Sequence, residues 1–125
     1  MGSEQNVRQF NTYETSDFVL KTYSKSKRDC YVLSNDNEVI QIKNIVLNFE
    51  SSEPLIYGSV FRSKENFFEW PIPSKFLNIY EVSDLSESIE SWSIKKVKKK
   101  CFLMEYNDSS RVVIPLIHTH NFIVS

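Results

Sequence analysis

Apolar residues recur along this chain in short runs with a period close to two, broken by clusters of Ser, Asn, Asp and Lys, the pattern of half-buried strands joined by turns. Asp17–Tyr23 has strand composition, and Ser24-Lys25-Ser26-Lys27-Arg28 interrupts it with a basic loop. Asp29–Ser34 predicts a second strand, and Asn35-Asp36-Asn37 a hairpin turn, because Asn and Asp accept left-handed backbone and hydrogen-bond locally. In the third strand, Glu38–Leu47, Ile40 and Ile42 alternate with Gln41 and Lys43, but Ile45-Val46-Leu47 breaks the alternation. A bulge or strong bend there reconciles the two, as where a sheet curls into a barrel.

After a loop at Ser51–Pro54, Leu55–Arg62 forms a fourth strand, with Gly58 marking a bulge or a close backbone approach. A turn is expected at Ser63-Lys64-Glu65-Asn66, followed by Phe67-Phe68-Glu69-Trp70-Pro71-Ile72-Pro73, whose prolines favour an extended surface segment. Ser74-Lys75-Phe76-Leu77 suits one helical turn. Asn78–Val82 is the fifth strand, Asp84–Glu90 an acidic loop or short helix, and Ser93 caps a brief turn through Ile94 and Val97. Lys99–Tyr106 and Arg111–His118 complete the set, and Pro115 places the last strand at an edge or a bulge. Nothing periodic precedes Asp17. Residues 1–15 are therefore expected to be a tag remnant, Met1-Gly2-Ser3, and a flexible arm whose Phe10 and Tyr13 can lie across the surface. Residues 16–125 form a single domain on this reading, cut from a longer protein.

Composition sharpens the fold class. Nine Phe, six Tyr and two Trp, with no Ala anywhere, favour strands over helices. The expectation is an all-β, curled and partly open barrel of about seven strands with short helical turns. A net charge of −1 gives no global attraction to nucleic acid or to an anionic membrane, so such a partner needs a local patch. No apolar run approaches the ~20 residues that span a bilayer. The two cysteines, Cys30 and Cys101, do not make a disulfide framework and fit a reducing compartment.

Chemistry is sparse. His118 and His120 share a strand face and could join Cys30 and Cys101 at a metal, but the spacing is not that of a zinc finger, and no metal or cofactor is expected. The same residues lack an orienting group for nucleophilic catalysis, so the chain is not expected to be an enzyme or to act on a small molecule. Lys95, Lys96, Lys98, Lys99 and Lys100 concentrate positive charge and are a candidate nucleic-acid contact; a solvated rim that protects a strand edge is the plainer alternative. Glu81, Asp84, Glu87 and Glu90 partly offset that field. Phe68 and Trp70 sit where prolines should hold them at the surface, as a partner site or as a cover for an open barrel end.

The strands Asp29-Cys30-Tyr31-Val32-Leu33 and Ile40–Ile45, the pair Phe61-Arg62, the segment Tyr80-Glu81-Val82-Ser83-Asp84 and the run Ser93–Cys101 together resemble the bromo-adjacent homology family over about Asp29 to Met104. Arg111–His120 also resembles segments of uncharacterised proteins encoded by mobile elements. The first resemblance implies a nuclear, chromatin-associated module for transcription regulation or gene silencing, binding a protein partner. In some members of that family the ligand is a methylated histone lysine held in an aromatic cage. Ser59 or Val60 falls where those members carry a cage tryptophan, so Tyr57, Phe61 and Trp70 are the aromatics left to build one. Tyr57, Phe61, Phe68 and Trp70 are thus the candidate partner-binding residues; the alternative is a nucleic-acid-binding domain of mobile-element descent that uses the lysines.

Overall fold

The computed structural model describes residues 7–50, 53–107 and 110–116. Within them the chain runs through β1 (Val7–Phe10), β2 (Thr12–Glu14), β3 (Val19–Lys21), β4 (Tyr31–Ser34), β5 (Val39–Asn48), β6 (Pro54–Asn66), β7 (Tyr80–Leu85), β8 (Glu90–Ser93), β9 (Val97–Asn107) and β10 (Ser110–Pro115). Among the described residues the only helical pieces are two 3₁₀ turns, Ser74–Leu77 and Ile94–Lys96. Among those residues no helix is long and apolar enough to cross a membrane.

Local chemistry makes several of these boundaries. The turn between β4 and β5 is held by Ser34, whose Oγ accepts hydrogen bonds from the Asp36 and Glu38 amides, while Asn37 takes the left-handed conformation at φ 64°. Ser93 caps the second 3₁₀ turn, its hydroxyl accepting from the Lys95 amide at 3.2 Å. At the other turn, Asn78 adopts φ 59° and ends the helical geometry.

Every pairing in the large sheet is antiparallel. β5 pairs with β4, β4 with β9, β9 with β10, β10 with β7, β7 with β6, and β6 again with β5. Six strands are therefore hydrogen-bonded in a ring, and the all-β fold is curled and partly barrel-like, with more strands than the seven expected. β1 and β8 extend it, on β5 and β6 respectively, and β2 and β3 form a separate pair. β5 reaches three neighbours because its first half faces β4, its second half faces β1, and its other edge follows β6.

That division needs a change of direction, and the register between β5 and β6 slips by one residue between Ile42 and Asn44. The extra residue, Lys43, lies two positions before the break in alternation seen in the sequence. Because side chains alternate every residue, the bulge keeps Ile45 on the same face as Ile40 and Ile42 although it is an odd number of positions away. Gly58 lies opposite Ile42. A Cβ built there would stand 2.1 Å from the Gln41 carbonyl oxygen, so the close approach anticipated at this glycine is real.

Two apolar clusters result. The first, including Tyr31, Leu33, Val39, Phe61, Tyr80, Val82, Cys101, Leu103 and Val113, draws on all six ring strands and fills the interior. The second, Leu20, Val32, Ile40, Ile42, Ile45 and Ile56, lies on the opposite face of β4, β5 and β6. Phe10, Tyr13, Phe18, Trp92, Ile94 and Val97 cover it. β4 and β5 are thus buried on both faces, which is why Tyr31–Ser34 has no exposed residue. Fully burying one such aliphatic side chain is worth ~1.5–3 kcal/mol.

The structure departs from the sequence expectations in four places. Residues 7–14 are strands rather than a free arm, because backbone pairing to β5 and β3 compensates for their few apolar groups; Phe10 and Tyr13 do pack across the outer cluster. Ser63–Asn66 continues β6, whose polar second half pairs with β7. The acidic segment Asp84–Glu90 begins within β7 and ends on the first residue of β8, in which Trp92 packs against the outer cluster and its indole donates to Glu38. Pro115 ends β10, a strand flanked by β9 and β7; the β7 pairing stops at Val113, so no ladder bond to β7 is lost. His118 and His120 lie outside the described residues.

Gly58→Ala should lower unfolding stability by ~3 kcal/mol or abolish folding, since the added carbon meets backbone that cannot step aside. A urea midpoint equal to that of the parent chain would show that β5 and β6 do not approach in this way.

Candidate interaction surfaces

Between β6 and β7 the chain makes an excursion, residues 67–79, that is rich in large apolar side chains and poor in cover. Trp70 is 84% exposed, Phe76 68%, Leu77 48% and Ile72 44%. The excursion is nonetheless tightly held. Ser74 is fully buried, its Oγ accepts from the Phe67 and Phe68 amides at 2.8 and 3.3 Å, and it donates to the Ile79 carbonyl at 2.8 Å. The Ser74 amide donates to the Phe68 carbonyl, and Asn66 Oδ1 accepts from the Lys75 amide at 2.7 Å. Phe67 sets its ring edge-on to Tyr106 of β9 at 5.0 Å and to Phe68 at 6.3 Å. A few inward hydrogen bonds thus fix a frame that displays apolar groups to solvent, so a partner would find them already ordered.

The four aromatic candidates separate. Phe61 is 4% exposed inside the ring, stacked on Tyr31 at 6.0 Å, and the Arg111 guanidinium lies 5.4 Å from its ring centre. Its position on β6 turns it inward, so it offers no face to a ligand. Tyr57 is half-buried in mid-strand, opposite Asn44 and Ser91. Phe68 is half-buried at the base of the excursion, and Trp70 projects from it. A cage built from Tyr57, Phe61 and Trp70 is therefore not assembled. Phe76 and Leu77, absent from the sequence-derived set, join Trp70 among the exposed groups; the signal was the helical turn itself, in which only Ser74 is buried.

The lysines separate too. Lys95 pairs with Glu53 at 3.3 Å, and the Ser93 hydroxyl, then Lys95, hold the Glu53 carboxyl below its usual pKa. Lys100 is 8% exposed; its ammonium lies 3.0 Å from Asp29 Oδ1 and donates to the Val19 carbonyl. The other oxygen of Asp29 is 3.3 Å from Lys21, so a half-buried carboxylate sits between two cations. Lys100 is a structural residue that joins β9 to β3 and to the segment before β4. Lys96, Lys98 and Lys99 are exposed, and no ion pair among the described residues engages them.

Two concavities lie near these groups. One, of about 230 Å³, is lined by Asp17, Phe18, Val97, Lys98, Lys99, Lys100 and Leu116. The other, of about 480 Å³, is lined by Asn37, Lys64, Glu65, Asn66, Glu69, Lys75 and Tyr80. Its Lys64 lies 4.4 Å from the Tyr80 ring centre and donates to the Asn37 carbonyl. Burial holds the Lys64 pKa down; nearby Lys98 acts in the same direction and Glu38 against it.

Cys30 and Cys101 are buried in the ring core, and burial pushes both thiols up to about 12. Protonated and enclosed, they are not poised as nucleophiles. Among the described residues no three His, Cys, Asp or Glu side chains group as metal ligands.

The family model described as Domain of unknown function (DUF8592) matches residues 1–116, and the chain belongs to that family. No curated protein and no solved structure matches the chain.

The buried thiols carry a pH consequence. An unfolded thiol ionises near pH ~8.5, whereas these, and the Tyr31 hydroxyl, keep their protons until about 12. The folded state then binds more protons than the unfolded one in this window, so stability is full below pH ~8.5 and falls as pH rises toward ~12. Urea midpoints should be lower at pH ~10 than at pH ~7, and a thiol reagent should label neither cysteine until urea is added; rapid labelling of the native protein would contradict the burial. Ser74→Ala should cost ~1–3 kcal/mol, because two partly buried amides lose their acceptor. Hydrogen exchange at Phe67 and Phe68 should quicken, and unchanged protection there would mean that Ser74 does not hold the excursion.

Proposed function

We propose that this domain is a non-catalytic interaction module that binds a protein partner through the apolar surface of residues 67–79. The observation that carries the reading is the combination of exposure and order: Trp70 is 84% exposed, with Ile72, Phe76 and Leu77, on a frame pinned by buried Ser74. Exposed apolar groups of this size on an ordered frame are costly to leave in water, and aromatic side chains dominate the energetics of protein interfaces. The resemblance to the bromo-adjacent homology family adds the setting: a nuclear, chromatin-associated module for transcription regulation or gene silencing, with a histone tail among the candidate ligands. A tail bound here would be read by Trp70 and its neighbours, with Phe61 serving the core.

A second reading, a nucleic-acid-binding domain, is supported by the exposed lysines Lys96, Lys98 and Lys99, which have no carboxylate partner among the described residues. The mobile-element resemblance of Arg111–His120 agrees with it.

Trp70→Ala and Phe76→Ala leave the core untouched and should together weaken the protein partner at least tenfold, about 1.4 kcal/mol. The measurement uses histone-tail peptides and nuclear extract with and without nuclease treatment, with retention on wild-type and variant domains quantified at low and high salt. Retention that survives salt and fails in the variant supports the protein reading; a variant that retains every wild-type partner equally well refutes it. Binding that disappears with nuclease and with salt favours the second reading.

A further inference from the structure

We propose that the groove between Asp17–Phe18 and Lys98–Lys99 binds single-stranded nucleic acid, with a phosphate held by Lys98 and Lys99 and an unstacked base laid against Phe18 and Leu116. The proposal rests on the nucleic-acid reading and deepens it by naming the site and the form of the ligand.

The first argument is the division of the lysines. Five of them are adjacent in sequence, but Lys95 is tied to Glu53 and Lys100 is buried on Asp29. Of the remaining three, Lys98 and Lys99 line the groove. Consecutive residues on a regular strand point to opposite faces. Here Leu33 is opposite Lys99 while Ser34 is opposite Val97, so Lys98 is an extra residue in β9, and the bulge brings both lysines to one concavity.

The second argument is what accompanies the charge. Phe18, Val97 and Leu116 supply apolar wall, and Leu116 is 44% exposed. The pairing of cations with apolar and aromatic surface suits a single strand, which offers phosphates and open base faces together. A duplex keeps its base faces stacked inside and would use only the cations. At about 230 Å³ the groove is smaller than the ~300–1,000 Å³ usual for a small-molecule site, and it suits one unit of a polymer lying across it. Asp17, at the same groove, is the acidic group that opposes the ligand and limits its affinity.

Fluorescence anisotropy of a short labelled single strand and of the matching duplex tests the proposal, with circular dichroism confirming the fold of each variant. The single strand should bind more tightly than the duplex. Lys98→Ala with Lys99→Ala should weaken it ~10-fold or more and reduce the salt slope by roughly 1. Leu116→Glu should weaken it comparably without removing a cation, and Asp17→Asn should tighten it. Lys95→Ala with Lys96→Ala should weaken it less than the Lys98 and Lys99 changes do, since neither Lys95 nor Lys96 lines the groove. If the Lys95 and Lys96 changes abolish binding while those at Lys98 and Lys99 do not, the groove assignment is overturned and the nucleic-acid reading survives. If strand and duplex bind alike and Leu116→Glu matters no more than any added negative charge on the surface, binding is diffuse and the proposal fails. If no oligonucleotide binds even at ~50 mM salt, the groove and the nucleic-acid reading fall together.

Discussion

The fold depends on one close approach of paired backbones, where β6 lies against β5 at Gly58. No side chain separates the two chains there, and the Gln41 carbonyl oxygen occupies the space a Cβ would need. Next to it, the extra residue Lys43 turns β5 so that its two halves serve different neighbours, β4 and then β1. Without the turn the ring of six strands would not close, and without the slip in register Ile45 would point away from Ile40 and Ile42. The ring interior and the outer cluster are both consequences of this one bend.

The outer layer needs its own anchorage, because β2 and β3 share no backbone ladder with the large sheet. Leu20 supplies the apolar part and Lys100 the polar part, reaching the Val19 carbonyl and Asp29. Lys100 is the buried member of that pair and Asp29 stays partly in water, so desolvation of the ammonium offsets part of the attraction and the contribution lies in fixing where β3 sits more than in net stability. One lysine of a conspicuous basic run is thereby consumed by architecture. The exposed lysines lie near the start of β9, while Tyr106, which supports the aromatic excursion through Phe67, lies near its end. Tyr106 lies eight positions along the strand from Lys98, roughly 25 Å. The two candidate surfaces are therefore far enough apart to be occupied independently.

Much of this was legible in the chain. Alternation located the paired halves of β4, β5, β7 and β9, and Asn35-Asp36-Asn37, Ser74-Lys75-Phe76-Leu77 and Ser93 marked turns whose hydrogen bonds are local. What escaped notice had little apolar signal. β8 has Trp92 as its one apolar residue, the second half of β6 is mostly polar, and β1 and β2 are short strands held by pairing. Such strands exist because a neighbour offers them a ladder, and a neighbour distant in sequence leaves no mark on the segment it recruits.

At the surfaces the same limit applies. The Phe67–Pro73 segment could be placed outside the sheet, because proline lacks the amide that a central strand requires. The sequence by itself determined an all-β chain with a two-residue period, its main turns and its capping residues, since these follow from backbone sterics and contacts a few positions apart. Only the tertiary structure decided that Phe61 faces the ring interior while Trp70 faces water, and that Lys100 is buried while Lys98 and Lys99 are exposed. The physical reason is that strand composition shows a side chain to lie on one face or the other, whereas the closure of the ring, the slips at Lys43 and Lys98 and the docking of β3 determine which face is inside.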